Sequence, residues 1–160
     1  LMDCVKEFAD VHAGDHVLDL YGGVGLFALQ LHEAVGAGGR IDLVEGSKSA
    51  TADAAVNFAG KENVKIYTGD VEKILPRFSR ADVVILDPPR DGAKKNVIAS
   101  LVACKPRAIV YVACDPAALA RDSALLRDAN YTLEKVRAFD LFPMTHHIEC
   151  VALFTPTAVS

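Results

Sequence analysis

The sequence predicts an α/β fold built on a parallel, doubly wound sheet. Short β-branched runs alternate with helical segments through most of the chain, and two further strand-like runs follow with no helix between them. Strands that alternate with helices form parallel sheets, because each helix returns the chain to the same edge. Two closing strands joined by a short turn instead predict an antiparallel hairpin at one edge of that sheet.

The individual elements follow from local signals. The predicted strands are, in chain order, the runs "HVLDLYG", "RIDLVE", "VKIYTGD", "ADVVILD", "AIVYVAC", "YTLEKVRAFDLF" and "HHIECVALFTP". The predicted helices cover approximately residues 25–35, 48–59, 94–101 and 116–129. Asp115 is a good N-cap and Pro116 suits the first helical position, so these two residues mark the start of the last helix. The letters "PMTH" join the two closing strands.

Composition bounds the organisation and location of the chain. Its 160 residues, of which 51% are apolar and 24% charged, predict one soluble domain over residues 1–160 with enough material for a core. No apolar run approaches the ~18 residues of a membrane span, and the first ten residues lack the layout of a signal peptide. We therefore expect a cytoplasmic protein that contacts no membrane.

Cysteine usage and net charge exclude further classes of protein. The four cysteines form no CxxC pair and show no ligand spacing with the five histidines, so neither structural zinc nor a disulfide framework is predicted. We therefore expect no metal in this chain. A net charge of −4 is not the basic footprint of a free-standing nucleic-acid binder. If RNA is a partner, much of its binding must come from outside this chain.

A cysteine stands where a strand stops and a helix begins, in the run "IVYVACDPAALARD". Cys114 would lie beside the N-terminus of that helix, whose partial positive charge favours a thiolate and can lower a thiol pKa from its usual ~8.5. The carboxylate of Asp115 opposes this shift. The alternative is that Cys114 is one more small, buried apolar residue. The junction by itself leaves both interpretations open.

A glycine-rich segment, "LDLYGGVGLFA", separates the first predicted strand from the first predicted helix. Glycines there let the backbone approach a ligand at the helix N-terminus. Gly23, Gly25 and Ala28 also satisfy the dinucleotide pattern G-x-G-x-x-G/A, so a nicotinamide enzyme is a competing prediction. Glu45 ends the second strand, where a carboxylate can bind the ribose of either cofactor or simply be solvated. Asp70 can bind an adenine amino group, cap the following helix, or do both.

A second polar segment, "ILDPPRDG", ends the fourth predicted strand. It places Asp87 and Arg90 at the carboxyl edge of the sheet, where ligands bind in such folds. The two prolines that follow the carboxylate make a stiff loop, which holds Asp87 toward the crevice. A plain turn is the alternative interpretation.

Three blocks together carry a specific resemblance: "DPPRDG", then after 16 residues "IVYVACDPAALARD", and later "FDLFPMTHHIE". On these blocks the chain resembles the catalytic domain of the RNA uracil-C5 methyltransferase family, which forms 5-methyluridine in transfer or ribosomal RNA. The resemblance implies a Rossmann-like, S-adenosylmethionine-dependent methyltransferase fold. Its sheet would be seven-stranded and mostly parallel, with an antiparallel last strand. S-adenosylmethionine is the implied cofactor, and tRNA or rRNA the implied partner.

The resemblance also assigns roles to single residues. Cys114 would add to carbon 6 of uracil, which converts a poor nucleophile into an enolate with negative charge at carbon 5. Glu149 would remove the proton from carbon 5 after methyl transfer, although without the surrounding block it is an ordinary strand carboxylate. Asp87 would orient the base or the cofactor amino group, and Arg90 would hold uracil oxygens or a phosphate. The residues expected to bind the cofactor are Asp19, Tyr21, Gly23, Gly25, Glu45, Asp70 and Asp87.

The chain departs from the family pattern at several positions. Ala113 and Asp115 flank the cysteine, where the family usually has serine and asparagine. Family members also carry an aromatic-x-Gln segment just before the point where this chain begins, and usually an RNA-binding β-barrel further upstream. We therefore expect this chain to be the catalytic domain of a longer protein. Of the adjacent His146 and His147, one is expected to support Glu149.

Three other functions compete with this prediction. A methyltransferase of the same fold that acts on another base atom would leave Cys114 with a structural role only. A non-catalytic module that binds a cofactor or RNA is a different class, favoured if upstream parts are required for activity. A nicotinamide dehydrogenase ranks last, because it has no use for "DPPR" together with a cysteine at a helix start and "HHIE".

Overall fold

The structure, a computed structural model, describes residues 1–141 and 148–158. The strands are β1 (His16–Leu20), β2 (Arg40–Glu45), β3 (Val64–Thr68), β4 (Val83–Leu86), β5 (Ala108–Ala113), β6 (Tyr131–Phe139) and β7 (Glu149–Pro156). The helices are α1 (Met2–Ala9), α2 (Leu26–Val35), α3 (Lys48–Asn57), α4 (Val71–Ile74), α5 (Lys94–Ala103) and α6 (Pro116–Asp128), with a 3₁₀ turn at Leu75–Arg77 after α4. The predicted strands and helices are therefore present, with ends that differ by at most three residues.

The described strands form one seven-stranded sheet in the order β3-β2-β1-β4-β5-β7-β6. The strands from β1 to β5 pair in parallel, whereas β7 is antiparallel to both β5 and β6. This confirms the predicted, mostly parallel sheet with a reversed last strand and a hairpin at one edge. Because β7 runs against its neighbours, its first residue, Glu149, lies at the edge where the parallel strands end.

Apolar clusters cover both faces of the sheet. Side chains of α1 and α2 pack on one face together with Phe58, which follows α3, and α4, α5 and α6 pack on the other. Every residue of β4 and β5 is buried. Strands covered on both faces are continuously apolar, and this explains the uninterrupted β-branched runs of the central strands.

Helix α1 was not predicted from the sequence. It buries Cys4, Val5, Phe8 and Ala9. Their spacing of one, three and one residues places all four on one helical face, which packs against the cluster shared by α2 and the central strands. The signal was present in "MDCVKEFA", but it covers only two turns and has no side-chain cap.

Two sequence expectations, on membrane contact and on the histidines before Glu149, can be compared only with the described residues. No helix among residues 1–141 and 148–158 is long and apolar enough to cross a membrane. His146 and His147 lie outside the described residues, as does the whole turn "PMTH". The support of Glu149 by one of these histidines therefore stays a prediction.

Candidate active site

The glycine-rich segment forms a tight loop between β1 and α2. Gly25 has φ of 88°, and a Cβ added there would overlap the ring of Phe58. A Cβ added to Gly22 would lie 2.7 Å from Cγ of Leu43. At Gly22 and Gly25 the loop backbone thus sits directly against side chains of the sheet and of the residue after α3, which leaves no room for larger residues. The approach of a ligand to this loop, which the glycines were predicted to allow, stays a prediction.

Glu45 connects this loop to the end of β2. One carboxylate oxygen accepts a hydrogen bond from the backbone N–H of Gly23 at 3.0 Å, and the other accepts from the N–H of Ser47 at 2.7 Å. The side chain is half-buried at the carboxyl edge of the sheet. Each carboxylate oxygen has a second lone pair, so both can still accept from a ligand hydroxyl.

Asp19 lies beneath the same loop. The residue is 1% exposed, and its Oδ2 accepts a hydrogen bond from the N–H of Ala28 at 3.1 Å. Within the described residues, Oδ1 has no hydrogen-bond partner. Burial, with smaller contributions from the charges of Asp87 and Glu45, raises the pKa of Asp19 to about 7. In this structure Asp19 supports the loop from below, and its direct contact with a cofactor stays a prediction.

Asp70 follows β3 and Tyr21 follows β1, and the charge of Asp70 acts on Tyr21. Asp70 caps α4, where its Oδ1 accepts from the N–H of Glu72 at 3.0 Å. The capping role therefore exists, and a second role toward a ligand is compatible with it. Tyr21 adopts φ of 58° in the glycine-rich loop. Burial and then the negative charge of Asp70 raise the pKa of Tyr21 to about 12, so its hydroxyl is a neutral donor at physiological pH.

Asp87 stands at the end of β4, and its backbone N–H bonds to the carbonyl of Leu20 at 3.3 Å. Although the residue is exposed toward the crevice, the surrounding protein desolvates its carboxyl group. Desolvation and then the negative charge of Glu149 raise the pKa of Asp87 to about 6. The charges of these two carboxyl groups therefore interact, although they come from strands β4 and β7, which are not neighbours in the sheet.

Cys114 follows β5, where the sequence left two opposite effects on its pKa open. Burial, and then the charge of Glu149, raise the pKa of the Cys114 thiol. The predicted cap is present as well: Oδ1 of Asp115 accepts from the N–H groups of Ala117 at 2.7 Å and Ala118 at 3.3 Å. The first free donors of α6 thus bond to a carboxylate, whose negative charge offsets the helix dipole.

Glu149 and Arg90 complete the set around the thiol. Antiparallel pairing of Ala113 with Cys150 puts Glu149, at the start of β7, across from Cys114. The positive charge of Arg90 lowers the pKa of Cys114 and so opposes the effect of Glu149. The structure therefore brings four predicted residues, Cys114, Glu149, Asp87 and Arg90, into electrostatic contact at one edge of the sheet. Among the described residues no cluster of histidine, cysteine or carboxylate side chains could hold a metal.

Two supporting residues were missed in the sequence. Asp122 of α6 is buried, and its Oδ2 accepts from the hydroxyl of Tyr111 at 2.6 Å and from the N–H of Ala93 at 2.7 Å. The signal was a carboxylate on the apolar face of a helix, in register with the buried Leu119 and Leu126. A charged residue at such a position needs hydrogen-bond partners from other elements.

The fold and this cysteine–carboxylate site define the methyltransferase class of α/β proteins. The sequence model of the tRNA (Uracil-5-)-methyltransferase family matches residues 1–156, and the chain belongs to this family. The membership confirms the family resemblance found in the three sequence blocks.

Individual relatives agree with this assignment. The chain is 52% identical over 147 residues to an uncharacterized RNA methyltransferase of Streptomyces avermitilis, a match that covers 91% of this chain and 34% of the relative. It is 43% identical over 150 residues to the 23S rRNA (uracil(1939)-C(5))-methyltransferase RlmD of Shewanella amazonensis, which covers 91% of this chain and 33% of that protein. The chain thus spans about a third of the length of these curated relatives.

Solved structures give the same result. The tRNA (uracil-54, C5)-methyltransferase of Pyrococcus abyssi, crystallised with S-adenosyl-L-homocysteine, superposes with a TM-score of 0.79 at 29% identity, over 96% of this chain and 37% of that chain. An S-adenosylmethionine-dependent O-methyltransferase of Thermotoga maritima superposes with a TM-score of 0.78 at 18% identity, over 99% of this chain and 65% of that chain. The second match shows the fold alone, and both confirm the predicted fold class.

Proposed function

We propose that this chain is the catalytic domain of an RNA methyltransferase that transfers a methyl group from S-adenosylmethionine to carbon 5 of a uridine in tRNA or rRNA, through a covalent cysteine adduct. The observation that carries the proposal is the electrostatic contact among Cys114, Glu149 and Asp87 at the carboxyl edge of the sheet. Family membership supports the same reaction. The reaction takes place in the cytoplasm on this proposal.

The residues around the glycine-rich loop fit the cofactor. A backbone without side chains at Gly23 and Gly25, with Glu45 beside it, suits an adenosine whose ribose hydroxyls donate to a carboxylate. The unpartnered Oδ1 of Asp19 marks an unused acceptor beneath the loop. Asp70 and Tyr21 lie at the rim, where a carboxylate can accept from an adenine amino group. Bound S-adenosylmethionine supplies an electrophilic methyl group to the carbon that the protein activates.

The chemistry of uracil assigns the remaining roles. The Cys114 thiolate would form a bond to carbon 6, and the electron pair of the C5–C6 double bond would become an enolate with negative charge at carbon 5. Carbon 5 would then take the methyl group that bound S-adenosylmethionine supplies, and the bond from that methyl carbon to the cofactor sulfur would break, leaving S-adenosylhomocysteine. Carbon 5 then carries both the methyl group and its original proton. Glu149 accepts that proton, the double bond re-forms, and the bond from carbon 6 to sulfur breaks to release Cys114. Asp87 and Arg90 orient the base, Arg90 through its planar guanidinium.

The substrate must present an unstacked uridine. A base inside a helix cannot reach Cys114 unless it is flipped, which costs a few kcal/mol and is least costly in loops and single strands. The chain has a net charge of −4, so most phosphate contacts are expected from the rest of a longer protein.

The test uses the full-length protein, S-adenosylmethionine and RNA that contains 5-fluorouridine. Fluorine at carbon 5 blocks proton removal, so a complex between Cys114 and RNA should survive denaturing electrophoresis. Cys114→Ala should give no complex, and Ser123→Ala, on the neighbouring helix, should react as the wild type does. Methylation of ordinary RNA without any covalent complex would mean another base atom is modified, and binding without methylation would mean a non-catalytic module.

A further inference from the structure

One buried carboxylate joins three elements behind the site. Asp122 is 4% exposed, and its Oδ2 accepts from Tyr111 on β5 and from the backbone of Ala93, which precedes α5. Ala93 ends the loop of residues 87–93, which begins with Asp87 and contains Arg90. The same oxygen therefore links the loop with the catalytic carboxylate to the strand that leads into Cys114.

The loop conformation depends on such a link. Gly92 has φ of 83°, and a Cβ added there would lie 2.7 Å from Oδ2 of Asp122. Lys94, immediately after the loop, has φ of 72°, which is unusual for a residue with a long side chain. Residues in sparsely populated regions of φ/ψ space keep that conformation only where the surrounding structure holds them. The contact between Asp122 and Ala93 is the hold from α6, beside the N–H of Gly92 on the carbonyl of Pro89 and the ion pair of Lys94 with Asp91 within the loop region.

The cost of the carboxylate argues against a purely packing role. A buried acid is costly unless it is hydrogen-bonded, and an apolar side chain would fill the same face of α6 without that cost. Two short, charge-assisted hydrogen bonds offset the cost here and fix direction as well as distance. The hydrogen bond to Ala93 fixes the loop rather than the helix, because Ala93 lies outside any strand and starts α5 without a side-chain cap.

We propose that Asp122 is a positioning residue for methyl transfer: it holds the loop of residues 87–93 so that Asp87 and Arg90 keep their places relative to Cys114. Its catalytic consequence rests on the function proposed above, whereas the loop geometry can be measured without RNA. Asp122 acts through the loop and touches neither substrate nor cofactor.

The first test measures the Cys114 thiol in the chain alone, from the pH dependence of its alkylation. Arg90 lowers the pKa of Cys114 and outweighs the opposite effect of Asp87. If Asp122 holds the loop, Asp122→Ala should raise the alkylation midpoint, as Arg90→Gln should, and the double variant should show little further change. Asp122→Asn keeps an oxygen at the same place and should stay near the wild type, as should Ser123→Ala.

The second test attacks the contact from its other side. Gly92→Ala leaves Asp122 intact but puts a methyl group where its Oδ2 lies, so it should displace the loop and raise the midpoint in the same way. In the full-length protein, both Asp122→Ala and Gly92→Ala should slow adduct formation with 5-fluorouridine RNA by roughly 30- to 100-fold, because small misplacements of reacting groups have such effects. The affinity for S-adenosylhomocysteine should fall far less than the adduct rate does, since Asp87 is the one expected cofactor residue that this loop contains and the glycine-rich loop is untouched.

The outcomes separate the two proposals. If the wild-type full-length protein forms no adduct, the proposed function is refuted. The pH midpoints of Cys114 alkylation in the chain alone still show whether Asp122 holds the loop. Wild-type midpoints and adduct rates in both Asp122→Ala and Gly92→Ala refute the role of Asp122 alone. If Asp122→Ala fails to fold, Tyr111→Phe preserves the volume and removes one of the two donors, and it should raise the midpoint by less than Gly92→Ala does.

Discussion

Cys114 and Glu149 lie across from each other at the carboxyl edge of the sheet. The pairing of β5 with β7 ends at Ala113 and Cys150, the residues next to these two in the chain. The charge of Glu149 is the second cause, after burial, of the raised pKa of Cys114. This placement suits the proposed roles of a nucleophile and a base on adjacent carbons of one ring, in which carbon 6 takes the sulfur while carbon 5 gives up its proton.

The opposing charges around Cys114 predict opposite shifts of its pKa. Glu149→Gln should lower the pH midpoint of Cys114 alkylation, and Arg90→Gln should raise it. The other cysteines, Cys4, Cys104 and Cys150, are buried, so a brief reaction with iodoacetamide reports on Cys114. Glu62→Gln, in the exposed segment before β3, is the control and should leave the midpoint unchanged. Equal midpoints in all variants would contradict the proximity of these groups.

Removing the nucleophile and removing the base should stop the reaction at different stages. In the full-length protein, Cys114→Ala should abolish both adduct and methylation, since no enolate forms. Glu149→Gln should allow attack and methyl transfer and then stall, so covalent protein–RNA complexes accumulate even with ordinary uridine. Denaturing gels with methyl-labelled cofactor distinguish the two variants, because only Glu149→Gln should give a labelled protein–RNA complex. Normal turnover by Glu149→Gln would show that another group removes the proton.

Gly25 in the glycine-rich loop should be intolerant of a side chain, whereas Gly38, in the turn before β2, should tolerate one. Gly25→Ala combines φ of 88° with an overlap against Phe58, so we expect a loss of roughly 1–3 kcal/mol in unfolding free energy and at least tenfold weaker binding of S-adenosylhomocysteine. Gly38→Ala is the matched control, because nothing lies within 4 Å of its added Cβ. Calorimetry and urea unfolding measure both effects, and equal behaviour of the two variants would contradict the geometry.

Asp19 should make the stability of the chain fall as pH rises. Its pKa is 3.8 when unfolded and about 7 when folded, so between these values the folded state holds a proton that the unfolded state has released. Asp19→Asn removes this penalty, which amounts to at most about 4 kcal/mol. The variant should therefore gain more stability over the wild type at pH 8 than at pH 5, measured by urea unfolding. An equal difference at both pH values would mean that Asp19 ionises normally.

Charge predicts weak RNA binding by this chain. It carries 17 lysine and arginine residues against 21 acids, whereas phosphate contacts dominate affinity for nucleic acids. A version extended by the upstream RNA-binding region expected from the family resemblance should bind RNA more tightly, and its affinity should fall more steeply with salt. Filter binding over a salt series measures both. Equal slopes would mean that the chain itself supplies the recognition.

Local chemistry in the sequence was enough to predict much of this protein. The alternation of β-branched and helical runs specified the parallel sheet, and the lack of a helix between the last two strands specified the hairpin. The glycine-rich loop, the N-cap at Asp115 and the cysteine before it were also readable, because each is defined by neighbours within a few residues. These features depend on intrinsic backbone preferences, which act before any distant contact forms.

The tertiary structure alone decided how these pieces act on one another. The raised pKa of Cys114 depends first on burial that no local pattern specifies, and then on Glu149, which is 35 positions away in the chain. The second partner of Asp122, the backbone of Ala93, comes from 29 residues upstream. Charge interactions and hydrogen bonds depend on distances in space, and only the packing of α6 and the reversed β7 against the sheet brings these groups within range.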